Sequence, residues 1–309
     1  MKFPGFAGSW GFAYVGVSAH AETWEVTGLS NRRFRILALD VDGTILDGCG
    51  ALRPRTIAAV ARAARAGLRP VLCTGRRYRR ALPIARQLGI DSPLVCNSGA
   101  LVKPFDGGRS TWRADLPREV LEPLFALLNA RDEPALSFTD TTPNGHDFIV
   151  ARSPTGRAHF DDYLESNRDH FEVDPGWTDR ASLPHYHLCA IGSRSDMEAV
   201  DRAIHARMPG RVRTFVQRSP LSAGTMCEIL RHDAGKWAAL LHLANVWGVE
   251  PSEVVAVGDD VNDLPMIRGA GLGVAMGHAS PEIREAATMV TGSNDEDGVA
   301  TLIDDLLGA

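Results

Sequence analysis

A run of four apolar residues, Ile36–Leu39, stops abruptly at Asp40, and a second carboxylate follows at Asp42. An uninterrupted apolar run of this kind is typical of a parallel strand that is buried on both faces of its sheet. Residues directly after such a strand lie at the carboxyl edge of the sheet, where open α/β sheets bind their ligands. This short segment therefore predicts both a fold class and the position of a site.

Predicted strands and helices alternate on both sides of a long middle segment. Apolar runs and helical spacing predict strands at residues 36–39, 70–73, 93–96, 254–257 and 272–275, and helices at residues 54–66, 78–88, 236–246, 262–268, 281–287 and 298–307. Strands that alternate with helices favour a parallel sheet covered by helices on both faces. The sequence therefore predicts the α/β class, with a Rossmann-like parallel sheet as its core.

The middle segment breaks this alternation. It combines predicted helices at residues 117–129 and 195–208 with predicted strands at residues 135–138, 146–151, 185–191 and 212–216. Strands that follow one another without a helix between them indicate a partly antiparallel α+β unit. We therefore predict a core formed by residues 35–102 and 222–309, an inserted α+β domain at residues 103–221, and an N-terminal extension at residues 1–34.

Three distant motifs are expected to meet at the carboxyl edge of the core sheet. They are Asp40 with Asp42 after the first strand, Thr74-Gly75-Arg76 after the second, and the sequence GDDVND at residues 258–263 after the strand at 254–257. If Asp40, Asp42 and Asp259 were all ionised about 4 Å apart, each pair would repel by roughly 4 kcal/mol at an effective dielectric of 20. We therefore expect a cation among them and one protonated carboxyl group. A ligand set made only of oxygen atoms favours Mg²⁺.

This arrangement predicts phosphoryl-transfer chemistry. A carboxylate bound to Mg²⁺ can attack phosphorus, while a second, protonated carboxyl group gives its proton to the leaving alcohol and later activates water. We assign Asp40 as the nucleophile and Asp42 as the acid and base. The residues expected to bind the phosphoryl group are small residues or donors at the same edge, namely Gly43, Thr44, Thr74, the backbone N–H of Gly75, Arg76 and Lys236.

Four motifs occur in a familiar order: DVDGTIL, TGR, the helix that begins at Lys236, and GDDVNDLPMIRGAGLGVAMGHASPEIREAA. Together they resemble the haloacid dehalogenase-like superfamily of phosphatases. The last stretch is most similar to the Cof-type branch, in which an α/β cap domain lies between the second and third motifs, as the inserted domain does here. The resemblance covers residues 35–309, more strongly in the core than in the cap, and it implies that the cap contributes to substrate choice.

The resemblance also implies roles for individual residues. Asp40 would be the aspartyl-phosphate nucleophile and Asp42 the acid and base. Mg²⁺ would be held by Asp40, the backbone carbonyl of Asp42, and Asp259. The other residues carried over are Thr74 and Lys236 as ligands of the phosphoryl group, Asn262 and Asp263 as supports of the metal and the lysine, and Asn97 as a residue near the substrate.

Two residues depart from the family pattern. Trp237 stands where the family usually has glycine, and its side chain could narrow the pocket or pack on the core. Ser98 is an insertion in the sequence CNSGA and could displace Asn97. In the cap, His185 and His187 share one face of a strand, and such a pair without an obvious third ligand is more often structural than metal-binding.

Composition excludes some classes of protein and leaves others open. The net charge of -5, without a block of lysine and arginine, argues against nucleic-acid binding. No uncharged apolar run approaches the ~20 residues that span a bilayer. The 5 scattered cysteines fit reduced thiols in the cytoplasm, although residues 1–21 could be the signal peptide of a secreted protein.

We therefore expect a cytoplasmic, Mg²⁺-dependent phosphatase that acts on a small phosphorylated metabolite, either a sugar phosphate or a phosphorylated cofactor. Two alternatives stay open at this point: a phosphomutase of the same superfamily, and a binding protein that has kept the fold without catalysis. The sequence does not indicate an oligomeric state.

Overall fold

The computed structural model describes residues 34–140, 145–177, 185–219 and 223–308. Apart from Phe34, the predicted N-terminal extension and the signal peptide considered for residues 1–21 lie outside these ranges. Within the described ranges, each helix is too short or too polar to cross a bilayer.

The strands of the described residues are β1 (Ile36–Leu39), β2 (Arg69–Leu72), β3 (Leu94–Cys96), β4 (Leu101–Lys103), β5 (Trp112–Arg113), β6 (Ala135–Phe138), β7 (Phe148–Val150), β8 (Phe171–Val173), β9 (His187–Gly192), β10 (Val212–Arg218), β11 (Thr225–Arg231), β12 (Val254–Gly258), β13 (Leu272–Ala275) and β14 (Met289–Val290). The helices are α1 (Pro54–Arg65), α2 (Tyr78–Leu88), α3 (Arg118–Ala130), α4 (Ala158–Glu165), α5 (Arg194–Arg207), α6 (Lys236–Val246), α7 (Leu264–Gly269), α8 (Pro281–Ala286) and α9 (Gly298–Leu307).

The core sheet has the order β14-β13-β12-β1-β2, and all of its pairs are parallel. Strand β1 lies between β12 and β2, and its residues are fully buried. Ile36 and Ala38 pack with α6 on one face, whereas Leu37 and Leu39 pack with α1 and α9 on the other. Strand β3 joins this sheet through a parallel bridge between Cys73 and Val95. The predicted α/β class and parallel core are confirmed.

The second sheet belongs to the inserted domain and has the order β10-β11-β9-β6-β7-β8. Its pairs are antiparallel except for β7 with β8, so the predicted α+β character is confirmed. Helices α3 and α5 cover one face of the sheet, and α4 packs on the other. We call this sheet with its helices the cap.

Strand β11 changes the predicted domain boundary. It pairs with both β10 and β9, so the cap sheet extends to Arg231, past the boundary predicted at residues 221 and 222. The sequence TMCEILR did not predict a strand because Glu228 interrupts its apolar pattern. We therefore propose that the chain returns to the core in the turn before α6. The short elements β4, β5, β8, β14 and α4 were also not predicted.

Candidate active site

The turn that follows β1 brings the first motif against the last one. Gly43 has φ +80°, and a Cβ atom at this position would lie 2.4 Å from Oδ2 of Asp259. A side chain at Gly43 would therefore strain the backbone and require the carboxylate of Asp259 to move. The hydroxyl group of Thr44 donates a hydrogen bond of 3.0 Å to Oδ1 of Asp259. The turn thus fixes the position of a carboxylate from a distant part of the chain.

Lys236, the first residue of α6, lies between two buried carboxylates. Its Nζ atom donates to Oδ1 of Asp40 and to Oδ1 of Asp263, each at 2.6 Å. The lysine side chain is 1% exposed. Burial alone would lower the pKa of Lys236, but Asp263 and Asp40 outweigh it, and the pKa lies above its usual value. The lysine is therefore a permanent cation that holds Asp40 in place.

The carboxylates of Asp40, Asp259 and Asp263 offer oxygen atoms that all lie within 4.8 Å of one another. Burial raises the pKa of Asp40, Asp263 raises it further, and Lys236 opposes both. When all are ionised, the three carboxylates carry three negative charges and Lys236 offsets one, so two remain. An all-oxygen donor set with this excess fits a hard divalent cation such as Mg²⁺.

Asp263 differs from the other two carboxylates because both of its oxygen atoms already have partners. Oδ1 accepts from Lys236, and Oδ2 accepts from the backbone N–H groups of Asp259 and Asp260 at 3.1 Å each. These bonds fold the loop after β12 around the Asp263 side chain. The geometry suits the supporting role that the family resemblance implies for this residue.

Asp42 does not join the carboxylate cluster, contrary to our expectation for its side chain. Arg76 binds it with a two-point contact, Nε to Oδ2 at 2.8 Å and Nη2 to Oδ1 at 2.5 Å. The expected repulsion among Asp40, Asp42 and Asp259 is avoided because a guanidinium group from the TGR motif compensates the charge of Asp42. Within the described residues, Asp263 is grouped with Asp40 and Asp259 instead.

The TGR motif forms one wall of the site. Thr74 is fully buried, and its Oγ1 accepts the backbone N–H of Arg76 at 3.0 Å. The backbone N–H of Thr74 itself donates to the carbonyl of Val95, which ties the motif to β3. A Cβ atom on Gly75 would lie 3.3 Å from Oγ of Ser98, so the chain passes close to the next loop.

The cap closes the site from the other side and supplies residues that were not predicted. A pocket of about 100 Å³ lies between core and cap; its wall includes Asp40, Asp42, Lys236 and Asn262 from the core and Phe138, Tyr163, Met226 and Glu228 from the cap. Burial raises the pKa of Glu228 to about 7, although hydrogen bonds and Lys236 oppose the shift. An acidic residue inside an otherwise apolar strand is the sequence signal that could have identified it.

A profile of the haloacid dehalogenase-like hydrolases matches residues 37–303 of the chain. This chain is a haloacid dehalogenase-like hydrolase. The match spans the core, the cap and all the motifs described above, so the predicted family, with its Cof-type arrangement of core and cap, is confirmed.

Two relatives of this hydrolase are named as phosphatases. It is 30% identical over 284 residues to the pyridoxal phosphate phosphatase YbhA of Escherichia coli, and the match covers 87% of this chain and 97% of the relative. It is 28% identical over 295 residues to the 5-amino-6-(5-phospho-D-ribitylamino)uracil phosphatase YwtE of Bacillus subtilis, with 88% and 98% covered. These relatives confirm the predicted enzyme class, a phosphoric monoester hydrolase.

A solved structure supports the same family assignment. The haloacid dehalogenase-like hydrolase from Bacteroides thetaiotaomicron superposes on this hydrolase with a TM-score of 0.71 and is 25% identical in sequence. The match covers 88% of this chain and 98% of the other. The structural similarity therefore extends over most of both chains.

Trp237, the first departure from the family pattern, packs on the core of the hydrolase. A Cβ atom on Gly269, at the end of α7, would lie 2.3 Å from Cε2 of Trp237. The indole therefore lies directly against the backbone of α7, and it is absent from the wall of the pocket. The absence of a side chain at Gly269 compensates for the large residue at position 237.

Ser98, the second departure, contacts two residues that line the pocket, Glu228 and Asn262. The Oγ atom of Ser98 donates to Oε2 of Glu228 at 2.6 Å and accepts from Nδ2 of Asn262 at 3.4 Å. The side chain of Asn97 points elsewhere, with its Nδ2 atom 3.3 Å from Nδ1 of His187. Asn97 is fully buried and does not line the pocket that contains Asp40. Both residues therefore contact the cap, Ser98 through Glu228 and Asn97 through His187.

The two strand histidines have structural partners. Nδ1 of His185 lies 2.8 Å from Oγ of Ser137, and the ring of His187 stacks on Phe138 with centroids 4.8 Å apart. Burial lowers the pKa of His187 to about 3, so its ring is neutral. These contacts support the structural interpretation over a metal site.

Proposed function

We propose that this hydrolase is a Mg²⁺-dependent phosphatase that hydrolyses a small phosphorylated metabolite through an aspartyl-phosphate on Asp40. The observation that carries the proposal is the buried contact of Lys236 with Asp40 beside two further carboxylates. Such a group fits a nucleophile whose charge is balanced by a lysine and a divalent cation. A protein that only bound a ligand would have no need of this arrangement.

The metal would be held by Asp40, Asp259 and the backbone carbonyl of Asp42, with Asp263 as support. When bound, Mg²⁺ supplies charge neutralisation for the phosphoryl oxygen atoms. Two hydrogen bonds orient the carboxylates that would bind the metal: Thr44 donates to Asp259, and Lys236 donates to Asp40.

The first step forms a bond between a carboxylate oxygen of Asp40 and phosphorus and breaks the bond between phosphorus and the leaving oxygen. Asp42 gives its proton to that oxygen, so an alcohol leaves. In the second step, water attacks phosphorus, its proton passes to Asp42, and the bond to Asp40 breaks. Inorganic phosphate leaves and both carboxyl groups return to their first state.

Arg76 must release Asp42 before this acid can act. In the structure, the guanidinium group of Arg76 occupies both oxygen atoms of Asp42. A phosphoryl group also presents paired oxygen atoms and carries a larger negative charge than a carboxylate. It can therefore replace Asp42 as the partner of Arg76. Thr74, the backbone N–H of Gly75, and Lys236 are the other proposed phosphate ligands, and Gly75, Lys236 and Asn262 line the pocket. Gly43 and Thr44 are proposed to contact the same group. Asn97, which is fully buried, would act only indirectly.

The relatives support the substrate class. One is named for pyridoxal phosphate and another for 5-amino-6-(5-phospho-D-ribitylamino)uracil, so both act on small phosphorylated molecules. We propose a small-molecule phosphate ester of the same kind, a phosphorylated cofactor or a sugar phosphate, for this hydrolase. The pocket of about 100 Å³ combines the catalytic carboxylates with apolar side chains of the cap, as expected for a small phosphorylated molecule.

The variant Asp40→Asn tests this proposal. We expect it to release no inorganic phosphate from a panel of phosphate esters, with an unchanged circular dichroism spectrum. Asp91→Asn is the matched control, because Asp91 is exposed and precedes β3 at the opposite edge of the sheet. Phosphate release by Asp40→Asn would refute the assignment of Asp40 as the nucleophile. Isomerisation of a sugar phosphate that requires a bisphosphate primer and releases no inorganic phosphate would favour a phosphomutase.

We also propose a cytoplasmic location. The thiols of Cys73, Cys96, Cys189 and Cys227 are buried and free, and Cys49 is exposed and free. Free thiols fit a reducing compartment. Mass spectrometry of the mature N-terminus tests the alternative, because loss of residues 1–21 would indicate secretion.

A further inference from the structure

We propose that the substrate carries a second oxyanion group on its leaving portion, and that this group binds Arg77 and Arg80 at the boundary of core and cap. The inference rests on the proposed phosphatase function and specifies its substrate class. The chemistry required is a carboxylate or a second phosphate, attached to a body small enough to reach from Asp40 to these two arginines.

Arg77 and Arg80 meet on a single neutral oxygen atom. Oδ1 of Asn167 accepts from Nη2 of Arg77 at 2.6 Å and from Nη2 of Arg80 at 3.0 Å. Both arginines line the pocket that contains Asp40 and Lys236. An amide oxygen can accept hydrogen bonds but brings no negative charge. This contact therefore brings two cations together without neutralising either of them.

The nearest carboxylate compensates only part of this charge. Oδ2 of Asp147 lies 3.1 Å from Nε of Arg77, and the same oxygen lies 3.1 Å from Nε of Arg79. The guanidinium groups of Arg77 and Arg79 therefore share one carboxylate, and Arg80 is hydrogen-bonded to Asn167 and to the carbonyl of Ser166. The side chain of Arg77 is 5% exposed, and across the described ranges its Nη1 atom has no hydrogen-bond partner. A buried guanidinium group with an unpaired N–H donor costs free energy unless a ligand accepts a hydrogen bond from that donor.

The contacts that the structure gives for the acidic residues of the pocket are with groups other than Arg77 and Arg80. Asp42 is bound by Arg76, Glu228 accepts from Ser98, and Asp260 accepts the backbone N–H of Val261. Asp40 is bound by Lys236. These contacts leave the charge of Arg77 and Arg80 to be matched by something that enters the pocket. Arginine forks fit the paired oxygen atoms of a carboxylate or phosphate.

The pocket also has an apolar side. Phe138, Tyr163 and Met226 of the cap line it together with the arginines. A flat or apolar body between the two charged ends of the substrate would bury surface against these residues. We therefore use aryl probes, in which the phosphorus group and the second group are held at opposite ends of one ring.

The test is a binding experiment with three phosphonates that differ in one substituent. 4-Carboxyphenylphosphonate and 1,4-phenylenediphosphonate carry a second oxyanion, and 4-carbamoylphenylphosphonate is the neutral isostere of the first. Isothermal titration calorimetry with Mg²⁺ present should give at least one oxyanion probe a Kd about tenfold below that of the amide, as expected for charge-assisted hydrogen bonds. Comparison of the Kd values of the two oxyanion probes shows whether the site prefers a carboxylate or a second phosphate.

Two variants identify the residues responsible. Arg80→Gln should reduce the preference for the oxyanion probe to about twofold or less, since one charged fork is removed. Arg79→Gln is the matched control: it lies on the same helix, contacts Asp147 of the cap, and does not line the pocket. It should keep the wild-type preference. Equal Kd values for all three probes, or an unchanged preference in Arg80→Gln, would overturn the inference.

The corresponding phosphate esters separate this inference from the proposed function. Turnover of the carboxyphenyl and carbamoylphenyl esters with equal kcat/KM would uphold the phosphatase and overturn the second-anion site. A binding preference that disappears in Arg80→Gln, without turnover of any ester, would uphold the site and refute the phosphatase.

Discussion

Lys236 and Asp40 form a hydrogen-bonded ion pair of 2.6 Å although 196 residues separate them in the sequence. The whole cap lies between them in the chain. The pair exists because β1 ends and α6 begins at the same edge of the core sheet, although the cap is inserted between them in the sequence. The ion pair is also costly to disturb, because the side chains of Lys236 and Asp40 are only 1% and 6% exposed.

Lys236→Gln should abolish phosphate release and lower the free energy of unfolding. The substitution leaves the buried carboxylates of Asp40 and Asp263 without their cation, and breaking a buried pair in this way costs about 3–5 kcal/mol. Urea unfolding monitored by circular dichroism measures the loss, and phosphate release measures the activity. Lys103→Gln is the control, because Lys103 forms a similar buried pair with Asp140 away from the catalytic carboxylates. That variant should lose stability but keep activity; a fully active Lys236→Gln enzyme would contradict the account.

Gly43→Ala should weaken metal binding because its new Cβ atom would displace Asp259. Gly89→Ala is a matched control: Gly89 also has a positive φ, +68°, but a Cβ atom there would meet nothing within 4 Å. Both variants should lose about 1–2 kcal/mol of stability from backbone strain. Only Gly43→Ala should raise the Mg²⁺ concentration needed for half-maximal activity, by about tenfold or more. Equal metal requirements in the two variants would show that this close approach has no role in the site.

Glu228 should make the hydrolase less stable as the pH rises. Its pKa is raised from 4.5 in the unfolded chain to about 7 in the folded protein, so the folded state holds a proton that the unfolded state has lost between these values. Stability therefore falls as the pH rises from about 4.5 to about 7, by on the order of 3 kcal/mol. Glu228→Gln should remove this part of the pH dependence in urea unfolding.

Glu119→Gln is the control for this measurement, because Glu119 is an exposed residue in the first turn of α3. It should retain the wild-type pH dependence. A Glu228→Gln variant whose stability follows the wild type at every pH from about 4 to about 8 would show that the carboxyl group is not perturbed by burial.

Removal of the metal should stop turnover without unfolding the protein. The carboxylates of Asp40 and Asp259 are expected to bind Mg²⁺, and a ligand of the folded state raises the melting temperature. Addition of Mg²⁺ after chelation should restore activity and raise Tm in the wild type. Asp259→Asn should show neither response, whereas Asp295→Asn, an exposed site that contacts Gly48, should show both. Full activity in the presence of a strong chelator would exclude the metal from the mechanism.

The strand ends were predictable from the sequence, whereas the partners of their side chains were not. The apolar run before Asp40 and the motif at Asp259 each predicted a position at one edge of a parallel sheet, because strand burial depends mainly on local pattern. The carboxylate cluster contains Asp263 and not Asp42, because Asp42 is bound by Arg76 from the loop after β2. Which charged groups pair is decided by tertiary geometry, and three acidic residues at one edge do not specify it.

The cap was the part of the molecule that the sequence predicted least. Strand β11 escaped prediction because Glu228 is buried in it as a partner of Ser98, and a buried acid contradicts the apolar pattern by which strands are identified. The contact of Arg77 with Asn167 links residues 90 positions apart. In the sequence, Arg77 belongs to a group of four arginines that is typical of a solvated surface, and only the fold reveals that it is buried.

The most direct test of the account is to trap the covalent intermediate. Wild-type enzyme that is turning over a phosphate ester would be quenched with borohydride, which reduces an aspartyl-phosphate to homoserine, and the digested protein would be analysed by tandem mass spectrometry. We expect homoserine at position 40 and nowhere else, and none when the ester is omitted. Homoserine at position 42, or a fully active enzyme with an unmodified Asp40 throughout, would contradict the assignment of Asp40 as the residue that accepts the phosphoryl group.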